Sequence, residues 1–400
     1  AALRIGAALA LLLAVAGPAA VLLSGYRYAG RAPTMAFPPA PHAISAPSHV
    51  KVVVARSGGE LSVACPGGGS WYADAEGERT LIATGSGPWL AGCEGGRLML
   101  DKKGQAATAI ELYCADDVFK LGRRTYRGRL RISARSQGGI IATNIVPPAD
   151  YLRSVVGSEL YEDWPLDTLM AQAVAARTFM LCALAAKGYM SAADMAYRGV
   201  EAECRSADLA VGLTDGIILT YDERILPAYF HSTCGGHTAP ADKAFAEEPI
   251  GPLQGVPCEW CWQSPTHRWR ARIPGYRIRR ALRERGLGLE SPLARVVAVS
   301  PVGTEPDGYA RFVDVVWSPA ADGPIRMGAN AFRRAVGSRL LRSACFTVRA
   351  DGSRFVFDGR GHGHGVGMCQ WGAHGLAEAG GTWRDILNHY YPGAAIQKTR

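Results

Sequence analysis

The chain has 400 residues, 48% of them hydrophobic and 20% charged, so it can bury a sizeable core and is not intrinsically disordered over most of its length. Its 48 glycines and 24 prolines exclude a simple helix bundle and indicate a loop-rich fold. Forty-four basic against 35 acidic residues leave a net charge of +9, which favours a polyanionic surface or polymer as partner; an arginine-biased proteome gives the same excess.

Arg4 precedes an uncharged stretch, Ile5 to Ser24, whose length lies between a signal-peptide core and a short membrane span. Residues 1–30 therefore read as a signal peptide or a membrane anchor. The protein is expected to be exported, periplasmic or otherwise extracytoplasmic, and held at the inner membrane by residues 5–24 if these are not cleaved. Residues 31–49 carry five prolines and almost no charge, and read as a linker. In an oxidising compartment the ten cysteines become disulfide candidates.

From Val50 to about Ile145, short apolar or alternating runs are broken by glycine, as in Val52-Val53-Val54 and Leu130-Arg131-Ile132-Ser133. These predict strands with tight turns, and so a β-rich subdomain over 50–145. Pro147-Pro148 opens a different region, 146–400. Asp150 to Leu160 has helical periodicity, with Leu152, Val155, Val156 and Glu159 on one face. A second helix runs from Pro165 to about Ala186 and stops before Gly188. Between those ends only Asp167 and Arg177 are charged, so the helix is expected to be surrounded by protein. Strands follow at Ile217 to Tyr221 and Ala228 to His231. Arg268 to Gly286 is dense in arginine and partly helical, and reads as a solvated helix face or a polymer-binding one. Further strands are expected at Val296 to Val302 and Phe312 to Trp317, and helices at Asn330 to Leu341 and Thr382 to Tyr391, with a Gly/His loop from Gly359 to Gly375. Segregated strands and helices indicate an α+β fold: a β-rich N-terminal subdomain, a helical segment and a mixed C-terminal subdomain.

Three features break the local pattern. Glu159 and Arg177 lie on the apolar stripes of their helices, where a lone charge is costly and needs a partner or a cavity. They are either a structural ion pair or a catalytic carboxyl in a cleft with Arg177 as its neighbour. Gln172 and Thr178 add polar groups to the same helix. In the segment Gly361-His362-Gly363-His364-Gly365-Val366-Gly367-Met368-Cys369-Gln370-Trp371-Gly372-Ala373, closely spaced glycines permit tight turns and close approach of backbone to a ligand. Its His364, Gln370 and Trp371 bring hydrogen-bonding and stacking groups that suit a sugar. Finally, Cys234-x2-His237 and Cys258-x2-Cys261, with 20 residues between them, supply four ligands for a structural zinc ion, or else a disulfide.

Three blocks resemble the stage II sporulation protein D (SpoIID) family, which includes the LytB-type amidase enhancers. The first is Tyr151-Leu-Arg-Ser-Val-Val-Gly-Ser-Glu159, then Trp164-Pro165-Leu166 and Ala171-Gln172-Ala173-Val174-Ala175-Ala176-Arg177-Thr178-Phe179. The second is Tyr229-Phe-His-Ser-Thr-Cys-Gly-Gly-His237. The third is His364 to Ala373 with His389-Tyr-Tyr-Pro-Gly393. The resemblance implies a peptidoglycan-active protein. Sporulation members are lytic transglycosylases that cut glycan strands stripped of stem peptides; Glu159 falls on their catalytic glutamate and Arg177 on an arginine needed for activity. On this reading Tyr151, Gln172, His364, Gln370 and Trp371 bind substrate. The chemistry itself needs no cofactor. The partners are peptidoglycan glycan strands, with a cell-wall amidase under the alternative that the chain is a non-catalytic, wall-binding activator of an N-acetylmuramoyl-L-alanine amidase; nucleic acid is not expected. The sequence departs from the sporulation members in one respect: their zinc site of two His and two Cys follows the catalytic helix, whereas Lys187 to Ala207 holds Cys204 and no histidine. A Cys182–Cys204 disulfide is the expected replacement.

Overall fold

The computed structural model describes residues 27–28, 47–75, 78–105, 107–245, 248–287, 293–304, 307–318 and 323–399. The expected signal peptide or anchor and the Pro-rich linker lie outside these residues, except for a short strand at Arg27–Tyr28 and the last few linker positions. The fold is α+β.

The N-terminal strands build two antiparallel layers. The first is a sheet in the order Met190–Ser191, Val50–Ser57, Ile140–Val146, Arg129–Ala134, Ala109–Cys114, Gly69–Ala75, Glu78–Gly85; the short first strand adds in parallel to Val50–Ser57. The second contains Leu61–Ala64 and Trp89–Glu94 at its centre. Alternation along each strand sends Trp71, Ile110, Leu112, Leu130 and Ile132 from one layer, and Trp89, Leu98 and Phe119 from the other, into one buried core. Cys65, just after one of these strands, and Cys114, at the end of another, join the layers by a disulfide with Cα atoms 5.8 Å apart.

Helix α1 spans Pro148–Glu159 and α2 spans Leu166–Lys187, ending at Gly188 in the left-handed conformation. Each lies within about two residues of its sequence-based bounds. One side of α2 (Leu169, Ala173, Ala176, Met180) packs into the N-terminal core, and another (Ala171, Val174, Ala175) into a second core built by the C-terminal half. Alanine on the second side is what lets both halves approach one helix. Among the described residues, α2 is the helix long and apolar enough to cross a bilayer; here it is the shared core element of the protein.

The C-terminal half carries helices α3 (Arg205–Leu213), α4 (Ala241–Phe245), α5 (Gly275–Arg283), α6 (Ala329–Val336), α7 (Gln370–Glu378) and α8 (Trp383–Tyr390). Thr382 and Asp385 form a reciprocal capping box at the start of α8. The arginine-dense segment is partly helical, as expected: a strand, Arg268–Pro274, precedes α5. Two expectations fail here. The segment from Gly359 to Gly375 is not all loop, because α7 begins at Gln370, with the Cys369 sulfur accepting the Gly372 N–H as its cap. The strand expected from Ala228 shrinks to Phe230–His231, which pairs in parallel with Met368–Cys369. In addition, Cys204 is a thiol, so the Cys182–Cys204 disulfide is not formed.

Candidate functional site

Glu159 is the last residue of α1. The chain turns extended at Leu160, crosses a short connection and re-enters helix after Pro165, so the end of α1 lies beside the start of α2. This leaves the Glu159 carboxyl half-buried at the junction. Its Oε1 accepts from the Ala196 N–H at 2.8 Å, and its Oε2 accepts from Gln370 Nε2 at 3.1 Å. The Ala196 donor is presented by a loop that Ser154, on α1, ties down through the N–H and C=O of Gly199, both at 2.9 Å. Gln370 Nε2 also reaches Gln172 Oε1 at 3.4 Å, while Gln172 Nε2 is buried without a partner.

An aromatic group is built from residues that follow Glu159 and its partner Gln370 in sequence. Tyr161 and Trp164, from the α1–α2 connection, meet Trp371, which follows Gln370 on α7; their ring centroids lie 5.0–6.5 Å apart. Trp164 stacks on His374 at 4.3 Å and 12°. Tyr161 is 61% exposed, so the group opens to solvent. Grouped rings open to solvent form a surface on which sugar faces can stack. Tyr161, His374 and the Ala196 N–H were not singled out from the sequence, and Trp164 was quoted there only within a motif. The available signal was two aromatics in an otherwise acidic connection, Tyr161-Glu162-Asp163-Trp164.

Of the sequence-predicted residues, the structure brings Glu159, Gln172, Gln370 and Trp371 together, and places Arg177, Tyr151 and His364 elsewhere. Arg177 does not pair with Glu159. Its Nη1 donates to the carbonyls of Thr214 at 2.7 Å and Ile217 at 3.1 Å, and its Nη2 to Val211 at 3.1 Å. These include orphan carbonyls at the C-terminal end of α3, where a cation is favoured. Burial lowers its pKa to about 10, which leaves it charged at neutral pH. Tyr151 is fully buried against Tyr197, with centroids 5.0 Å apart, so it cannot touch a ligand from outside. His364 packs among Tyr229, His231 and Phe245, and its Nδ1 accepts from the Val366 N–H. Burial, and then the neighbouring His231, hold its pKa well below the usual value.

The proposed ligand set also changes. Cys234, Cys258 and Cys261 converge, but the fourth atom in the group is Cys369 Sγ, not a nitrogen of His237. The His237 ring instead donates from Nδ1 to the Thr238 carbonyl at 2.7 Å. The parallel pairing of His231 with Cys369 carries Cys369 into the cluster. A separate groove of about 820 Å³, lined by Arg268, Trp269, Arg270 and Arg360, accounts for part of the arginine-dense segment.

His231 makes acid stability a test of this packing. It is 4% exposed, donates from Nδ1 to Val366 O at 3.0 Å, and has no partner at Nε2. Burial pushes its pKa from 6.5 down to about 4. Between these values the unfolded chain binds a proton that the folded chain does not, so stability falls as pH drops through that window. Going from pH 7.5 to pH 5 should cost about 2 kcal/mol through this residue. Urea unfolding of wild type and His231→Phe at both pH values measures it; identical pH dependence in the two proteins refutes it.

The stage II sporulation protein family model matches residues 136–221, which contain α1, α2 and the Ala196 loop. The chain is 29% identical over 287 residues to an uncharacterized protein of Brachyspira hyodysenteriae, covering 70% of this chain and 74% of the other. It is 30% identical over 274 residues to the stage II sporulation protein D of Bacillus subtilis, covering 63% of this chain and 75% of that one. It is 26% identical over 284 residues to the amidase enhancer of the same organism, covering 61% of this chain and only 40% of that longer protein.

Proposed function

Because the chain belongs to the stage II sporulation protein D family, we propose that it is an extracytoplasmic lytic transglycosylase that cleaves peptide-stripped peptidoglycan glycan, with Glu159 as its single acid and base. The observation that carries this reading is the half-buried Glu159 carboxyl, fixed by donors from two separate segments, with the mutually packed rings of Tyr161, Trp164 and Trp371 close in sequence to Glu159 and to its partner Gln370.

A hydrolase that consumes water usually needs two carboxylates flanking the scissile bond. An intramolecular transfer needs one. Protonated Glu159 donates to the glycosidic oxygen as the C1–O bond breaks, leaving an oxocarbenium-like sugar. The carboxylate so formed takes the proton of the muramyl C6 hydroxyl, whose oxygen closes on C1. The product is a 1,6-anhydro end, and the glutamate regains its proton. Ala196 N–H and Gln370 Nε2 hold the carboxyl in place through this exchange. Arg177 acts at a distance, by fixing α3 and the strand Ile217–Tyr221 against α2.

Mass spectrometry of products from purified, peptide-free glycan tests the proposal. Fragments ending in anhydro sugar, lighter by one water than hydrolytic ends, are expected. Hydrolytic ends alone, or intact glycan together with stimulation of an added amidase, would overturn it.

A further inference from the structure

Four cysteines from three distant parts of the chain meet in the C-terminal core. Cys234 follows the strand Phe230–His231, Cys258 and Cys261 sit on a loop that tightens into a single 3-10 turn, and Cys369 precedes α7. All four are buried, and their sulfurs lie within 4.8 Å of one another. Cys234 and Cys261 sulfurs are 3.5 Å apart, near the about 3.8 Å expected between two thiolates at about 2.3 Å from one tetrahedral zinc. Cys65 and Cys114, by contrast, form an isolated bonded pair.

The surroundings are built for negative sulfur. The N–H groups of Cys234 and Gly372 point at Cys369 Sγ from 3.2 and 3.3 Å. The Tyr390 hydroxyl lies 3.1 Å from Cys258 Sγ, and His267 Nδ1 lies 3.5 Å from Cys261 Sγ. Outer groups of this kind orient metal-bound thiolates. Glycines make the space. Gly235, at φ 78°, turns the chain directly after Cys234, and a β-carbon on Gly372 would overlap both Cys258 Sγ and the Tyr390 hydroxyl.

We propose that Cys234, Cys258, Cys261 and Cys369 bind one zinc ion as four thiolates, and that this ion is structural, with no open position for chemistry. Each thiol gives its proton to solvent on binding. A closed all-sulfur tetrahedron selects zinc over the oxygen-loving divalent cations. The ion clamps the start of α7, and the next residue, Gln370, carries the amide that holds Glu159. The link to Glu159 rests on the function proposed above; the metal assignment does not.

The test uses the full chain, purified without reductant or added metal. Elemental analysis should return one zinc per chain. Peptide mapping should find Cys65 bonded to Cys114 and no disulfide among the four cluster cysteines, which are alkylated only after denaturation with a chelator. Cobalt(II) exchanged into the site should show thiolate-to-metal charge-transfer and tetrahedral bands. Cys369→Ser should weaken zinc retention by more than the about 10–100-fold that loss of an outer partner costs, while Cys93→Ser retains it. Iron in place of zinc, no metal with free thiols, or any disulfide within the cluster overturns the proposal. None of these readings needs glycan cleavage, so a chain that holds zinc yet leaves glycan intact refutes the catalytic proposal alone.

Discussion

Glu159→Gln should slow cleavage of peptide-free glycan by about 10²–10⁴-fold, the range set by loss of one general acid–base group. That is about 3–5 kcal/mol on the barrier. The fold should be untouched, because the amide is isosteric and the local donors can rearrange. The new side chain keeps an oxygen for the Ala196 N–H. Its NH₂ group then faces Gln370, whose amide can turn to offer oxygen, and Gln172, whose Nε2 has no partner, can turn in the same sense. Initial rates with anhydro-product detection, paired with thermal unfolding, separate the two effects. A variant that cleaves at the wild-type rate removes Glu159 from the chemistry and favours the amidase-activator alternative.

Arg177→Met should destabilise the protein by about 3 kcal/mol or more. It strips charged hydrogen bonds from buried carbonyls, each worth roughly 1.5–3 kcal/mol and each expensive to leave unmade. Arg177 is 5% exposed, and its guanidinium serves Val211, Thr214 and Ile217. Arg177→Lys should recover part of this, since an ammonium cannot span the carbonyls as a planar fork does. Urea unfolding reads the loss. The fraction that stays folded should retain the wild-type turnover on glycan. A fully folded Arg177→Lys protein with turnover reduced by a hundredfold would instead place the guanidinium in the reaction. In this geometry Arg177 ties α2, the helix that carries Gln172, to Val211, Thr214 and Ile217.

Glu159 and Arg177 were both legible as anomalies, because a charge on an apolar helical stripe is visible in one dimension. Their relation to each other was not. Residues 159 and 177 sit on different helices, and the direction in which a long side chain leaves α2 depends on what packs there. The carbonyls of Val211 and Thr214 come from α3 and its C-cap, which the sequence pattern did not single out, and that of Ile217 from the strand Ile217–Tyr221, whose place beside α2 the pattern did not reveal. Tyr151 fails for a related reason. Its place in a motif says that the position is special, not whether it faces a ligand or a core.

The cysteine cluster divides the same way. The spacing of Cys258 and Cys261 marks a local knuckle, since two residues between ligands allow one turn to present both sulfurs. Cys369 is 108 residues from Cys261 (369 − 261) and is brought in only by strand pairing between Phe230–His231 and Met368–Cys369. His237 had the better sequence spacing, and its ring is instead spent on the neighbouring Thr238 carbonyl.

What the amino-acid order determined alone were the short-range decisions: the period of the N-terminal strands, the helices from Pro148 and Leu166 with their proline starts and the glycine stop, and the residue types set aside for a site. These rest on interactions within a few residues, which hydrophobic periodicity and backbone restriction encode directly. The tertiary structure decided which polar groups meet: Glu159 with Gln370 across 211 residues, Trp164 with Trp371, and four sulfurs from three segments. Long-range contacts of this kind are set by the packing of whole helices and sheets, and α2, buried between two cores, is the element around which both halves had to agree.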